Sequence, residues 1–319
     1  MRVLIMKMRV LNVLILLVLS IFILIPGCGK KEPQKPRISL IMKSLANEFF
    51  KTMEDGAMEH QKQNPEKYDL ITSGIKDELD VAKQMDLVEQ MIAQQVNAIV
   101  IAPADSKAMV SVCKKAIDSG IVVVNIDNKL DEDVLKDKNI QIPFVGPDNR
   151  KGAYLAGQYL AQKLQKGDKV AIIEGAPNAF NAVQRKLGFE DAMKETGIEI
   201  VTSQSGNWET DKANQLVSAI ITEYPDIKAI LCANDSMALG AVAALRTAGK
   251  TDDILVVGFD NISAVQKLLK EGKMLCTVDQ HADKLAVFGI EYALDILDGK
   301  GKAENKETPV DLITADSLK

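Results

Sequence analysis

A chain of 319 residues, 47% apolar and 26% charged, has material for two hydrophobic cores, a balance that excludes both a disordered polymer and a membrane-embedded protein. Its formal net charge of −5 argues against nucleic acid as a partner, because displacing counterions from phosphates takes clustered basic charge. Two histidines, with no C-x-x-C or H-E-x-x-H spacing, leave a metal centre without its usual donors, so no metal or other cofactor is expected.

In chain order, Arg2, Lys7 and Arg9 precede an apolar run from Val13 to Ile25 and a small residue before Cys28. The run is shorter than the ~20 residues a helix needs to cross a hydrocarbon core, so residues 1–27 are predicted to be an export signal, not an anchor. Ile25-Pro26-Gly27-Cys28 resembles the bacterial lipoprotein cleavage box. Lipid on Cys28 would tether the protein to a membrane from outside the cytoplasm, in the periplasm or at the cell surface. Residues 28–36, charged and proline-containing, read as the solvated tether. The remaining cysteines, Cys113, Cys232 and Cys276, sit in apolar surroundings and read as small core residues.

From Arg37 onward, short β-branched runs alternate with stretches of helical period, the pattern of a parallel sheet covered by helices. Strands are predicted at Ile38–Met42, Tyr68–Thr72, Ala98–Ala102 and Ile121–Ile126, with helices over Glu48–Gln63, Asp80–Gln94 and Lys107–Ser119. Beyond Val145-Gly146-Pro147-Asp148-Asn149, where Asp148 or Asn149 suits a helix N-cap, a second series has strands at Lys169–Ile173, Ile198–Ser203, Ala229–Cys232 and Ile254–Val257. Lys273–Val278 is then predicted as a strand, His281–Leu297 as a helix and Val310–Ile313 as a last strand.

Ligands of open parallel sheets lie beyond the carboxyl ends of the strands. That rule selects Lys43, Asn47, Phe49 and Phe50 after the first strand, and Asp127 and Asn128 after the fourth. In the second series it selects Asn234, Asp235, Asp260, Asn261 and Gln280. Carboxylates that accept from hydroxyls, and amides and cations that donate to them, fit a polyhydroxylated ligand. Aromatic rings pack on its C–H faces, and Trp208, alone of its type and in a polar stretch, is the best placed of these. Taken singly, each Asp or Asn also reads as a helix cap, and Arg185 as a surface residue.

Ala46-Asn47-Glu48-Phe49-Phe50, Ile126-Asp127, Arg185 before Gly188-Phe189, Trp208, Ala233-Asn234-Asp235-Ser236-Met237-Ala238-Leu239-Gly240, Val257-Gly258-Phe259-Asp260 and Val278-Asp279-Gln280 stand in one order. That order resembles the ribose-binding and allose-binding group of periplasmic binding proteins, over nearly all of the chain after the tether. The resemblance implies an α/β fold of two Rossmann-like lobes, joined by a three-crossing hinge near Pro147, Asp279 and Glu307: residues 37–147 with 280–308, and 148–279 with 309–319. It implies a monomer that encloses a monosaccharide and delivers it to an ABC permease. The implied sugar contacts are Lys43, Asn47, Phe49, Phe50, Asp127, Asn128, Arg185, Trp208, Asn234, Asp260 and Gln280.

Two positions depart from the ribose binders. Asn128 stands where they have arginine, and Lys43 where they have a small hydroxyl residue. An amide in place of a guanidinium would widen the pocket, and with Lys43 as a relocated donor the expectation is a hexose such as allose over ribose. A sugar-responsive repressor shares this core but needs a DNA-binding helix-turn-helix where this chain has an export signal. An enzyme lacks its motifs: there is no G-x-S-x-G, G-x-x-x-x-G-K-[ST] or G-x-G-x-x-G. A receptor presenting a sugar or furanosyl signal to a chemoreceptor is the remaining alternative.

Overall fold

The computed structural model describes residues 35–319; the expectations for the leader, for Cys28 and for most of the tether lie outside the described residues. Strand β1 (Arg37–Ser44) runs inside a six-stranded sheet, between β2 (Asp69–Ile75) and β3 (Ala98–Ile101). The sheet continues through β4 (Val122–Ile126) and β5 (Phe144–Pro147), and β11 (Lys306–Thr308) closes its far edge. Every neighbouring pair in it is parallel. The second sheet, also parallel, has the order β7 (Glu199–Ser205), β6 (Lys169–Glu174), β8 (Ala229–Cys232) and β9 (Leu255–Val257). Next to it β10 (Thr277–Asp279) pairs antiparallel with β12 (Asp311–Ile313), and a bridge from Val257 to Cys276 links the pair to β9.

Parallel connections need crossovers, which the helices supply. In the first half these are α1 (Glu48–Gln63), α2 (Val81–Ala93), α3 (Met109–Asp118), the short α4 (Glu132–Asp137) and α5 (Asn149–Ala161). The second half has α6 (Phe180–Thr196), α7 (Thr210–Glu223), α8 (Asp235–Thr247), α9 (Ser263–Lys270) and α10 (Ala282–Leu297). Asn47, Asp80, Asp131, Asp148 and Asn234 cap their helices with side-chain oxygens.

The strand interiors are apolar on both faces because both faces are covered. Along β1 the side chains alternate: Leu40 and Met42 pack with Phe50 and Met53 of α1 and Leu285 of α10, while Ile41 packs with Val88 of α2 and Val110 of α3. In the second sheet Val170 and Ile172 meet Leu160 and Phe189, and Ala171 and Ile173 face Val217 and Met237. Cys113, Cys232 and Cys276 are buried free thiols. Burial pushes the Cys113 thiol up to about 12, so it packs as an apolar residue.

Because β5 and β11 belong to the first sheet and β10 and β12 to the second assembly, the chain passes between them three times. The sequence reading contained no helix at α4, and two strands also differ from it. The strand expected over Lys273–Val278 is ordered as a ladder only at Thr277–Asp279, because Cys276 meets β9 through a single bridge. The residues of β11 carry no apolar alternation; backbone pairing to β5 holds them.

Candidate functional site

The carboxyl ends of the two parallel sheets face one another, and between them lies a narrow cavity. Ten of the eleven sugar contacts that the resemblance implies line it: Lys43, Asn47, Phe49, Phe50, Asp127, Arg185, Trp208, Asn234, Asp260 and Gln280; Asp235 and Asn261, also selected from the strand ends, do not. Glu78 and Asn181 complete the wall.

Lys43, the penultimate residue of β1, is 3% exposed, so its charge must be met locally. Its Nζ lies 3.3 Å from Asp127 Oδ2 and 3.8 Å from Glu78 Oε2. It also sits 5.3 Å from the Phe50 ring centre and 5.5 Å from the Trp208 ring. Burial pushes the Glu78 carboxyl above the usual range, with Lys43 and Asn47 opposing that rise. Asn47 does two jobs: its Oδ1 accepts from Phe49 N, starting α1, and its Nδ2 donates to Glu78 Oε1 at 2.8 Å. The Phe49 and Phe50 rings meet edge to face, 5.1 Å between centres.

Across the cavity Arg185 is held on every side. Its Nε donates to Asn149 Oδ1 at 2.8 Å and its Nη1 to the carbonyl of Ala233 at 2.8 Å, and the guanidinium stacks 3.7 Å from the Phe259 ring centre. Nη1 lies 3.4 Å from Asp260 Oδ1, which also accepts from Gln280 Nε2 at 2.7 Å. Burial raises the Asp260 carboxyl well above its ordinary value, opposed by Arg185, and pulls the Arg185 guanidinium down. Trp208 packs against Gly175, where a Cβ would come within 2.1 Å of the indole. Only glycine there admits the ring.

Asn181 Oδ1 and Gln280 Oε1 are buried acceptors with no hydrogen-bond partner in the protein. Buried polar groups are rarely left so, and two such acceptors on a cavity wall suit hydroxyl donors from a ligand. Three lining residues, Asp127 (φ 60°), Trp208 (φ 71°) and Asp260 (φ 125°), hold left-handed backbone that is costly for side-chain-bearing residues, a cost met typically where function fixes a side chain's direction.

Asn128 corrects the sequence reading. It is fully buried but absent from the cavity wall: its Nδ2 donates to the Pro103 carbonyl at 2.9 Å, and its Oδ1 accepts from Asn181 N at 3.2 Å and Ser106 Oγ at 3.3 Å. The left-handed turn at Asp127 aims residue 127 into the cavity and residue 128 away from it. Asn128 therefore offers the cavity no contact of its own, and Lys43 with Glu78 lines the first-lobe wall. Glu78 was missed although it follows a strand end, because Asp77-Glu78-Leu79-Asp80 reads as a solvated acidic loop. Asn181, inside the first turn of α6, carries no sequence signal of its own. Among the described residues no cluster of metal-ligating side chains occurs and no helix is long and apolar enough to cross a membrane.

A family model described as a periplasmic binding protein domain matches residues 38–301. The chain is 55% identical over 311 residues to the D-ribose/D-allose-binding protein of Pseudomonas aeruginosa, covering 96% of this chain and 98% of that one. Among solved structures, an ABC transporter solute-binding protein of Burkholderia multivorans superposes with a TM-score of 0.86 at 60% identity, covering 88% of this chain and 99% of that one. One of Actinobacillus succinogenes with bound D-allose gives 0.85 at 38% identity, covering 89% and 99%. With two parallel-sheet lobes facing one another across a closed polar cavity, and matches that span both, this chain belongs to the periplasmic binding protein family, among the ribose- and allose-binding proteins of ABC importers.

Proposed function

We propose that the cavity binds one aldose, D-allose or D-ribose, and that the protein delivers it to an ABC permease without chemical change. The observation that carries this reading is the wall itself. Buried carboxylates (Asp127, Asp260), fixed cations (Lys43, Arg185), amides and aromatic rings surround one narrow space. A sugar offers hydroxyls that donate and accept, and C–H faces that stack on the rings. The names of the similar proteins support the same ligand class. The three chain passages between the sheets would act as the hinge that opens the cavity, dividing the lobes at residues 147, 279 and 308. Lipid on Cys28 would keep the protein at the membrane that holds the permease.

Calorimetric titration tests it. D-Allose is expected to bind one-to-one with a Kd of about 1 μM or tighter, D-ribose more weakly, and D-glucose at least about a hundredfold more weakly than D-allose. The preference for D-allose over D-ribose follows from Lys43 and Glu78, an extra donor–acceptor pair on the first lobe for a sixth carbon's hydroxyl, whereas D-glucose has that hydroxyl and would be rejected at carbon 3, where its hydroxyl is inverted against the fixed polar wall. Ribose preferred over allose would refute the ranking. No heat with any of the three would refute the sugar reading.

A further inference from the structure

Two second-lobe helices start at residues that have no side-chain oxygen to cap them: α6 follows Ala179 and α9 follows Ile262. The first backbone N–H groups of a helix have no partner inside it, and burying them unpaired is costly. In this structure their acceptors come from the other lobe. Phe180 N donates to Ser106 Oγ at 2.9 Å and Asn181 N to Asn128 Oδ1 at 3.2 Å, at the start of α6. At the start of α9, Ser263 N donates to Glu48 Oε1 at 2.8 Å. Beside the first set, Asn178 Nδ2 donates to Asp105 Oδ2 at 2.7 Å, and Ser106 N to the Asn178 carbonyl at 3.1 Å.

We propose that these cross-lobe caps are the latch of the closed state, so that Ser106, Asn128 and Glu48 set sugar affinity and release rate as positioning residues, without touching the sugar. Neither Ser106, Asn128 nor Glu48 lines the cavity. The cavity lies between the two caps: Asn181, whose N–H is capped, also lines it, and Asp260 lies three residues before Ser263. With the lobes apart, water would satisfy the same N–H groups. With the lobes together, the α6 acceptors Ser106 and Asn128 are 5% and 0% exposed, whereas the α9 cap at Ser263 stays at the exposed rim. Closing therefore requires protein acceptors where Ala179 supplies none, and at the rim Glu48 adds a carboxylate favourable to the positive end of α9. Apparent affinity scales with the population of the closed state, so a weakened latch lowers it for every sugar by one factor.

The inference rests on the sugar-binding reading above, and its test separates the two. Wild type, Ser106→Ala, Glu48→Ala and the double variant are titrated with D-allose and D-ribose, and dissociation is followed by stopped-flow fluorescence of Trp208. The double variant is expected to bind both sugars about ten- to hundredfold more weakly, by the same factor, mainly through faster dissociation. The sugar-free unfolding midpoint should stay as in wild type, and Glu48→Gln, which keeps an acceptor, should recover most of the Glu48 share. Unchanged affinity and dissociation in the double variant, with wild type binding normally, would overturn the latch alone. So would a factor that differs between the two sugars, or a lowered sugar-free midpoint, since either places these residues in the pocket or in the fold. A wild type that binds neither sugar overturns the sugar reading, and the latch with it.

Discussion

Arg185→Met is expected to remove sugar binding almost completely. The guanidinium is 2% exposed, and its Nη1 lies 3.4 Å from Asp260, which is 5% exposed at the side chain. Removing one partner of a buried pair leaves an uncompensated charge and costs about 3–5 kcal/mol, or roughly two to four orders of magnitude in affinity. Burial already raises the Asp260 carboxyl, and losing the cation that opposes the rise will raise it further, so Asp260 will take up a proton and cease to be a pure acceptor. Methionine keeps the length and most of the volume, so the pocket need not collapse. Arg185→Lys should be nearly as damaging, because an ammonium does not reproduce the planar fork that reaches Asn149 and Ala233 or its stacking on Phe259. Calorimetry with D-allose, alongside the sugar-free unfolding midpoint, checks this. Binding within tenfold of wild type would show that Arg185 braces the second lobe and does not recognise the sugar.

Lys43→Met is expected to weaken D-allose by roughly tenfold to several hundredfold, from the ~1.5–3 kcal/mol of a charged hydrogen bond together with the strain of leaving Asp127 and Glu78 facing each other. A pH dependence distinguishes this from simple loss of a contact. Glu78 is already raised above 4.5 by burial, and Lys43 is the strongest group opposing that rise. Without Lys43 the folded value climbs further. Below 4.5 both folded and unfolded forms hold the proton and no penalty exists; as pH rises toward the folded value only the unfolded chain ionises, so stability falls. The stability gap between wild type and Lys43→Met should therefore widen from acid toward neutral pH, as measured by urea unfolding at a series of pH values. A gap independent of pH would contradict the buried-pair reading, and unchanged sugar affinity would return Lys43 to a residue that merely ends a strand.

The α/β rhythm was legible because the central strands are buried on both faces and their covering helices carry apolar stripes. β1, β3 and β8 are runs of apolar and β-branched residues, and α1 to α3 repeat every three or four positions. What escaped was held by pairing and not by pattern: β11 is Lys306-Glu307-Thr308, three residues with no periodicity, held by their ladder with β5. The site was legible for a different reason. Strand ends in parallel sheets converge, so residues after β1, β4, β8 and β9 meet whatever their separation in sequence. Sequence order gives which residues converge but not which way each side chain turns. Asp127 and Asn128 are adjacent, yet one lines the cavity and the other caps a helix of the opposite lobe. That direction is set by a backbone angle, φ 60° at Asp127, which an Asp tolerates better than most residues but does not require. Glu78 hid among acidic neighbours, and its role depends on Lys43 and Asn47, over thirty residues away, which no local window contains.

The most direct test of the central claim is a crystal structure of the protein grown with D-allose. The account predicts one sugar between the lobes, with a ring face against Trp208 or Phe49–Phe50 and hydroxyls on Asp127, Arg185, Asp260 and the unpartnered oxygens of Asn181 and Gln280. A cavity without sugar at saturating D-allose, or a sugar bound elsewhere on the surface, would contradict it.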